Sequence, residues 1–385
     1  MKTNFKKMFA VALALIMVLS LAACSGGVKY TENNTEFVIG VSGPLTGGAA
    51  VYGTAVQNSA QMAVDEINAA GGLNGVMFKL VMTDDAHDAT KVAANYASMF
   101  EGGMQVSLST VTTGPGLEFS KLSVEDNVFF LTPSASGDKI PEYDNGYQMC
   151  FADGNQGKVA AEYVNTLGLS EIGVFYKSDD AYSNGIFEQF KENLDPSIAT
   201  VEAVFTGDAS DFSAQISTLK DCTFIFMPIY YQPASIFLTQ AKGIIADDAV
   251  YYGCDGFDGL AGQFEDFSVI PQEVSMLSHF DSNATEGMAA EYIAKYTEAF
   301  GTETLNQFGA SAYDCVYAIY YAMQAAIEAG ETIDVTISAS DLCDILKEQF
   351  GGGFSYSGVT GNDITWDENG YVAKGAVKYT LKEAN

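Results

Sequence analysis

The sequence predicts an α/β protein made of two doubly wound parallel-sheet lobes joined by several crossings. Three observations carry that prediction. From residue 37, short apolar runs alternate with stretches whose apolar residues recur at helical spacing, the pattern of a parallel sheet with helices on both faces. The alternation stops at Gly154-Asn155-Gln156-Gly157 and then resumes, giving two series rather than one. No Pro- or Ser-rich linker separates the series and no repeat of fixed period occurs, so the lobes are expected to share short crossings and to leave a ligand cleft between them.

In the first series, residues 37–41 are an apolar strand, and Val56, Ala60, Ala63, Val64 and Ile67 mark one face of a helix that Gly71-Gly72 stops. A strand at 76–82 and a helix around Val92, Tyr96, Ala97 and Phe100 form the next unit. Strands follow at 106–108 and 128–131, with a helix over 117–124 between them. The last of these ends on Leu131-Thr132-Pro133-Ser134-Ala135-Ser136, where proline terminates the strand and leaves hydroxyls just past its carboxyl end. The second series opens with Val159, Ala160, Tyr163, Val164 and Leu167 on one helical face. Strands at 172–176, 201–205, 223–227 and 249–252 then alternate with helices at 186–194, 212–219 and 234–241. A strand at 276–280 precedes long helices at 286–300 and 310–329, and Asp367-Glu368-Asn369-Gly370 reads as a hairpin turn.

The N-terminus is set aside from the fold. Lys2, Lys6 and Lys7 precede an uncharged apolar run over residues 8–19, then Leu21-Ala22-Ala23-Cys24, the order of a secretory signal. The Leu-Ala-Ala-Cys ending resembles a bacterial lipobox, which implies lipidation of Cys24; an uncleaved anchor is the alternative, but the run is short for a membrane span. Removing residues 1–23 takes away three lysines and no acid, moving the net charge from −31 to −34. So acidic a body repels phosphate backbones, which argues against nucleic acid as a partner. The five remaining cysteines, Cys150, Cys222, Cys254, Cys315 and Cys343, fit no metal spacing and read as small core residues.

Candidate ligand-binding residues gather where strands end. Thr112-Thr113-Gly114-Pro115 opens a helix whose N-terminus favours an anion such as a carboxylate, although an ordinary Thr cap is an equal alternative. Ser134 and Ser136 could converge on the same group from the next strand. In the second series Asp255 follows a strand and could pair with an ammonium, with a solvated turn aspartate as the alternative. Tyr52, Tyr182, Tyr230 and Phe308 lie at junctions or helix starts and supply aromatic walls. Asp84-Asp85-Ala86-His87-Asp88 looks metal-like but stands without a second cluster, so no metal site is expected. With two histidines and neither Gly-x-Ser-x-Gly nor a phosphate loop, neither an enzyme nor a cofactor is expected.

The opening Ile39-Gly40-Val41-Ser42-Gly43-Pro44-Leu45-Thr46-Gly47, the run Ala63-Val64-Asp65-Glu66-Ile67-Asn68-Ala69-Ala70-Gly71-Gly72, and the later Asp84-Asp85, Leu131-Thr132-Pro133-Ser134-Ala135-Ser136, Asp211-Phe212-Ser213-Ala214-Gln215-Ile216, Asp255-Gly256-Phe257-Asp258 and Trp366-Asp367-Glu368-Asn369-Gly370 resemble the branched-chain amino acid type periplasmic binding proteins of ABC importers. The resemblance implies a type I periplasmic binding fold in lipoprotein form. It implies that Thr113 and Ser136 hold a ligand carboxylate, that the Ser134 carbonyl and Asp255 hold its ammonium, and that Tyr52, Tyr182, Tyr230 and Phe308 line the cleft. Gly137-Asp138-Lys139 departs from the family's usual Asn-Pro after the clamp.

The expected organisation is a signal peptide over 1–23, a tether over 24–36, a first lobe over 37–154 plus 281–368 and a second over 155–280 plus 369–385. The expected role is an extracytoplasmic, lipid-anchored, monomeric protein that captures a small apolar α-amino acid for an ABC permease. Binding of an amide, urea or aromatic acid, and sensing for a receptor, are the alternatives.

Overall fold

The computed structural model describes residues 30–384, so the signal segment and Cys24 lie outside the described residues. The first lobe begins with β1 (Phe37–Gly43), α1 (Ala50–Ala69), β2 (Phe78–Asp84), α2 (Val92–Glu101), β3 (Val106–Ser107), α3 (Thr113–Glu125), β4 (Phe130–Thr132) and β5 (Gly146–Gln148). The second continues with α4 (Asp153–Asn165), β6 (Glu171–Lys177), α5 (Ala181–Asn193), β7 (Ala199–Phe205), α6 (Ser213–Leu219), β8 (Phe224–Met227), α7 (Tyr231–Ala241), β9 (Val250–Gly253) and β10 (Glu273–Ser278). The chain then returns to the first lobe through α8 (Gly287–Phe300), α9 (Gln307–Ala329), α10 (Ala339–Gly351) and the hairpin β11 (Tyr356–Gly358) and β12 (Gly361–Ile364), before β13 (Val377–Lys382) closes the second sheet.

The first sheet has the order β2-β1-β3-β4-β5 and is parallel throughout. The second runs β13-β10-β9-β8-β6-β7, so its parallel part repeats the same winding and β13 adds an antiparallel edge on β10. Both strand sets read as near-continuous apolar runs because both faces are covered by helices; β1 and β8 are buried along their whole length. Helix α9 lies close against α1: a Cβ at Gly309 would sit 2.8 Å from Ser59 Oγ and 3.1 Å from the Ala55 carbonyl, so only glycine permits that approach. Phe350 packs on Trp366 (4.6 Å between ring centroids) and Phe129 (5.0 Å), tying α10 to the first sheet.

Several boundaries differ from the sequence expectation. Helix α3 starts at Thr113, four residues before 117, because the Gly114-Pro115-Gly116 first turn carries no apolar periodicity. The strand expected at 276–280 runs from Glu273 to Ser278. Elements β5, α10, β11, β12 and β13 were not anticipated. The cysteines from Cys150 to Cys343 are buried free thiols, and no helix among the described residues is long and apolar enough to cross a membrane.

Candidate functional site

Each sheet reverses its strand order once, between β1 and β3 and between β6 and β8. Connections flanking such a reversal leave to opposite faces and open a crevice at the carboxyl ends of the strands. One small cavity draws on both crevices: Tyr52, Val111, Thr113, Ser134, Ser136 and Phe308 come from the first lobe, Tyr182, Tyr230 and Asp255 from the second. All eight residues singled out in the sequence meet there. Val111 is the one lining residue that was not.

On the first-lobe side, Ser109 adopts a left-handed backbone (φ 58°) and bends the chain from β3 toward α3. Thr112 precedes the helix but makes no capping bond; its hydroxyl lies 2.9 Å from His87 Nδ1, which removes the ordinary Thr-cap alternative. Thr113, the first helical residue, turns inward and is buried. After β4 the Thr132 hydroxyl accepts from the backbone N–H groups of Ala135 (3.0 Å) and Ser134 (3.4 Å), folding the tight turn that presents Ser134 and Ser136. The glycine at 137 has a steric reason: a Cβ there would lie 2.7 Å from Thr113 Cγ2 and push the two hydroxyl-bearing turns apart.

On the second-lobe side, Asp255 is 1% exposed, which removes the solvated-turn alternative. Its Oδ1 accepts the Tyr182 hydroxyl at 2.6 Å, and that hydroxyl accepts the Gly256 N–H at 2.8 Å. Its Oδ2 is buried with no hydrogen-bond partner among the described residues. Burial pushes the carboxyl up to about 7 because the charged form is stripped of water, although Tyr182 and Gln156 pull it down. Tyr182 and Tyr230 stack at 4.5 Å, and Tyr52 meets Phe308 edge-on at 4.8 Å, making an apolar wall.

Direct bonds tie the lobes together beside this cavity. Tyr52 donates to the Gly256 carbonyl at 2.5 Å and accepts from the Tyr231 N–H at 3.3 Å. Asp258 accepts the N–H of Gln307, the first residue of α9, at 2.9 Å; burial lifts this carboxyl to about 6. His87 Nε2 lies 3.7 Å from Asp180 Oδ2 at the cleft edge.

Sequence reasoning missed Asp153. It is the first residue of α4, 1% exposed, and its Oδ2 lies 3.2 Å from Thr113 Oγ1. Its N–H donates to the Ser136 carbonyl at 2.8 Å, so one residue touches both hydroxyl-bearing turns. The only local signal is an acid at the start of a helix, a placement too common to stand out.

The metal-like stretch is occupied with its own loop. Asp84 accepts the Leu45 and Ala86 N–H groups at 2.9 Å, and Asp85 accepts the His87 N–H and the Ser42 hydroxyl. No group of three or more metal-binding side chains occurs among the described residues.

The cavity thus offers hydroxyls and a helix N-terminus at one end, an unpaired carboxylate oxygen at the other, and aromatic rings between. Its lining contains no Lys, Arg or His. The arrangement complements a small zwitterion with an apolar side chain.

A family model described as "Periplasmic binding protein" matches residues 36–361. The chain is 29% identical over 230 residues to the Leu/Ile/Val-binding protein BraC3 of Rhizobium johnstonii, covering 58% of this chain and 62% of that one. It is 28% identical over 253 residues to the leucine-, isoleucine-, valine-, threonine- and alanine-binding protein of Pseudomonas aeruginosa, covering 63% and 66%. The matched region thus spans somewhat less than two thirds of the length of these relatives. The crystal structure of the branched-chain amino acid transporter substrate-binding protein LivJ from Streptococcus pneumoniae, in complex with isoleucine, superposes with a TM-score of 0.79 at 25% identity, covering 91% of this chain and 97% of that one.

Proposed function

The chain belongs to the periplasmic binding protein family, and from that premise we propose that it is an extracytoplasmic solute-binding lipoprotein that captures a small α-amino acid with an apolar side chain and delivers it to an ABC importer. The observation that carries the ligand class is the pairing of Thr113, Ser134 and Ser136 on one lobe with the unpartnered Asp255 Oδ2 on the other, across a cavity without basic side chains. The hydroxyls and the α3 N-terminus suit a carboxylate. Asp255 suits an ammonium, and Val111, Phe308 and the tyrosines suit an aliphatic side chain. The names of the relatives point to the same class.

The reading includes a first lobe over 37–154 plus 281–368 and a second over 155–280 plus 369–385, a division that the strand membership of the two sheets supports. It includes a monomeric body tethered through lipid on Cys24, a non-enzymatic role, and closure by a hinge that only a ligand touching both lobes drives.

The test is a thermal-shift screen of the purified mature protein against the amino acids, an uncharged amide, urea and an aromatic acid, followed by calorimetry. Apolar α-amino acids should stabilise it by about 2.7 kcal/mol at a hundredfold excess over the dissociation constant. Silence toward every amino acid together with a clear response to the amide, urea or the aromatic acid overturns the assignment.

A further inference from the structure

Thr113 has one hydroxyl proton and two claims on it. In the ligand-binding role the proton must point at the ligand's carboxylate, yet Asp153 Oδ2 lies 3.2 Å from the same oxygen. An ionised aspartate only accepts, so it would hold the Thr113 proton away from the ligand and add a second negative charge behind the hydroxyls. A protonated aspartate reverses the bond: its O–H donates to Thr113 Oγ1, and the threonine proton is free to donate onward.

We infer that Asp153 is a positioning residue that binds one proton from solvent as the cleft closes, so that an α-amino acid enters with its carboxylate matched by the proton on Asp153. This rests on the amino-acid reading above. No bond to the ligand is made or broken by it; the proton stays on Asp153 and only the direction of the Thr113 hydrogen bond changes.

The surroundings favour the neutral acid. Facing Asp153 are Asp255 across the cavity and Asp138 on the turn after β4, both acidic, and the hydroxyls of Tyr182 and Tyr230 and the thiols of Cys150 and Cys254, all neutral groups. The positive potential nearby comes from the N-termini of its own helix α4 and of α3, whose first residue is Thr113. Its hydrogen-bonding neighbours include the Ser136 and Thr113 hydroxyls and Gln156, whose Nε2 is 3.5 Å from Oδ1. Burial first, and then Asp255, push this carboxyl well above the ordinary range.

The experiment is calorimetry on the mature protein and Asp153→Asn with L-leucine, at pH 6.5, 7.5 and 8.5, in two buffers of different ionisation enthalpy so that protons bound per ligand are counted. Asparagine donates to Thr113 from its amide, as the protonated acid does. The parent should bind up to one more proton per leucine than Asp153→Asn, and its affinity should fall by as much as tenfold per pH unit relative to the variant. At every pH the variant should bind leucine at least as tightly as the parent, because it needs no proton, by a margin that widens as pH rises. Equal proton counts with leucine, or a folded Asp153→Asn protein that binds leucine more than thirtyfold more weakly at pH 6.5, overturn this inference alone. Silence toward every amino acid of the screen overturns the amino-acid reading and this inference with it.

Discussion

Replacing Asp255 by asparagine should make the ligand-free protein more stable in alkaline solution while crippling its binding. The carboxyl moves from its ordinary 3.8 to about 7 on folding into the closed cleft. Between those values the folded chain holds a proton that the unfolded chain has released, so unfolding is favoured as pH rises and the penalty is complete above about pH 7. A shift of that size corresponds to about 4 kcal/mol at pH 8. Opening of the cleft hydrates the acid, which makes this an upper bound, and the new amide must find a partner at a cost of about 1 to 2 kcal/mol. A net gain of about 2 kcal/mol remains, a rise in Tm of roughly 3 °C. The assay is a pair of thermal melts, parent and Asp255→Asn, from pH 5 to pH 8. The difference in Tm should grow with pH, because Asp258 and Asp85, each lifted to about 6, titrate in both proteins and cancel. Affinity for the best amino acid should fall by about 2 to 5 kcal/mol, since the ammonium loses its buried partner. An unchanged or lower Tm at pH 8, or affinity within threefold of the parent, would refute the buried-acid clamp.

Tyr52→Phe keeps the ring but leaves the Gly256 carbonyl and the Tyr231 N–H unpaired only when the lobes are closed, so binding should weaken by about 1 to 3 kcal/mol. Calorimetry within twofold of the parent would show that these contacts do not hold the closed state. Cys24→Ser should release the protein from the membrane fraction or leave the leader attached; a processed chain that stays membrane-bound would place the tether elsewhere.

Much of the site was legible because type and position agreed. Hydroxyls, an acid and aromatics all fell just past strands, and in a doubly wound sheet those carboxyl ends converge. The missed elements lacked that redundancy. Strand β5 is Gly-Tyr-Gln, with no apolar run to announce it. Strand β13, with its alternating Val-Lys-Tyr-Thr-Leu-Lys, is an antiparallel edge in a sheet expected to be parallel. Helix α10 did carry its signals, a Ser338 cap bonded to the Asp341 N–H and buried Leu342, Leu346 and Phe350 at helical spacing. Asp153 was hidden for another reason: its partners Thr113 and Ser136 are distant in sequence and on other elements, so no local spacing pairs them.

The same groups explain why closure would wait for one class of ligand. Joining the lobes gains the Tyr52–Gly256, Tyr231–Tyr52 and Gln307–Asp258 bonds, together worth about 3 kcal/mol at ordinary values. Closing also buries the Asp255 carboxyl, which costs up to about 4 kcal/mol near pH 8. The two terms nearly cancel, and the proton that Asp153 takes up on closing adds to the cost, so the ligand-free protein would close only in part. An ammonium at Oδ2 removes the larger cost and shifts the balance by up to about a thousandfold. A neutral amide offers a hydrogen bond but no charge. An aromatic acid satisfies the hydroxyl end yet leaves Asp255 unpaired, with a second negative charge inside the same cavity. On the proposed reading, only a zwitterion with its carboxylate at Thr113 and Ser136 and its ammonium at Asp255 would relieve both ends at once and so earn closure.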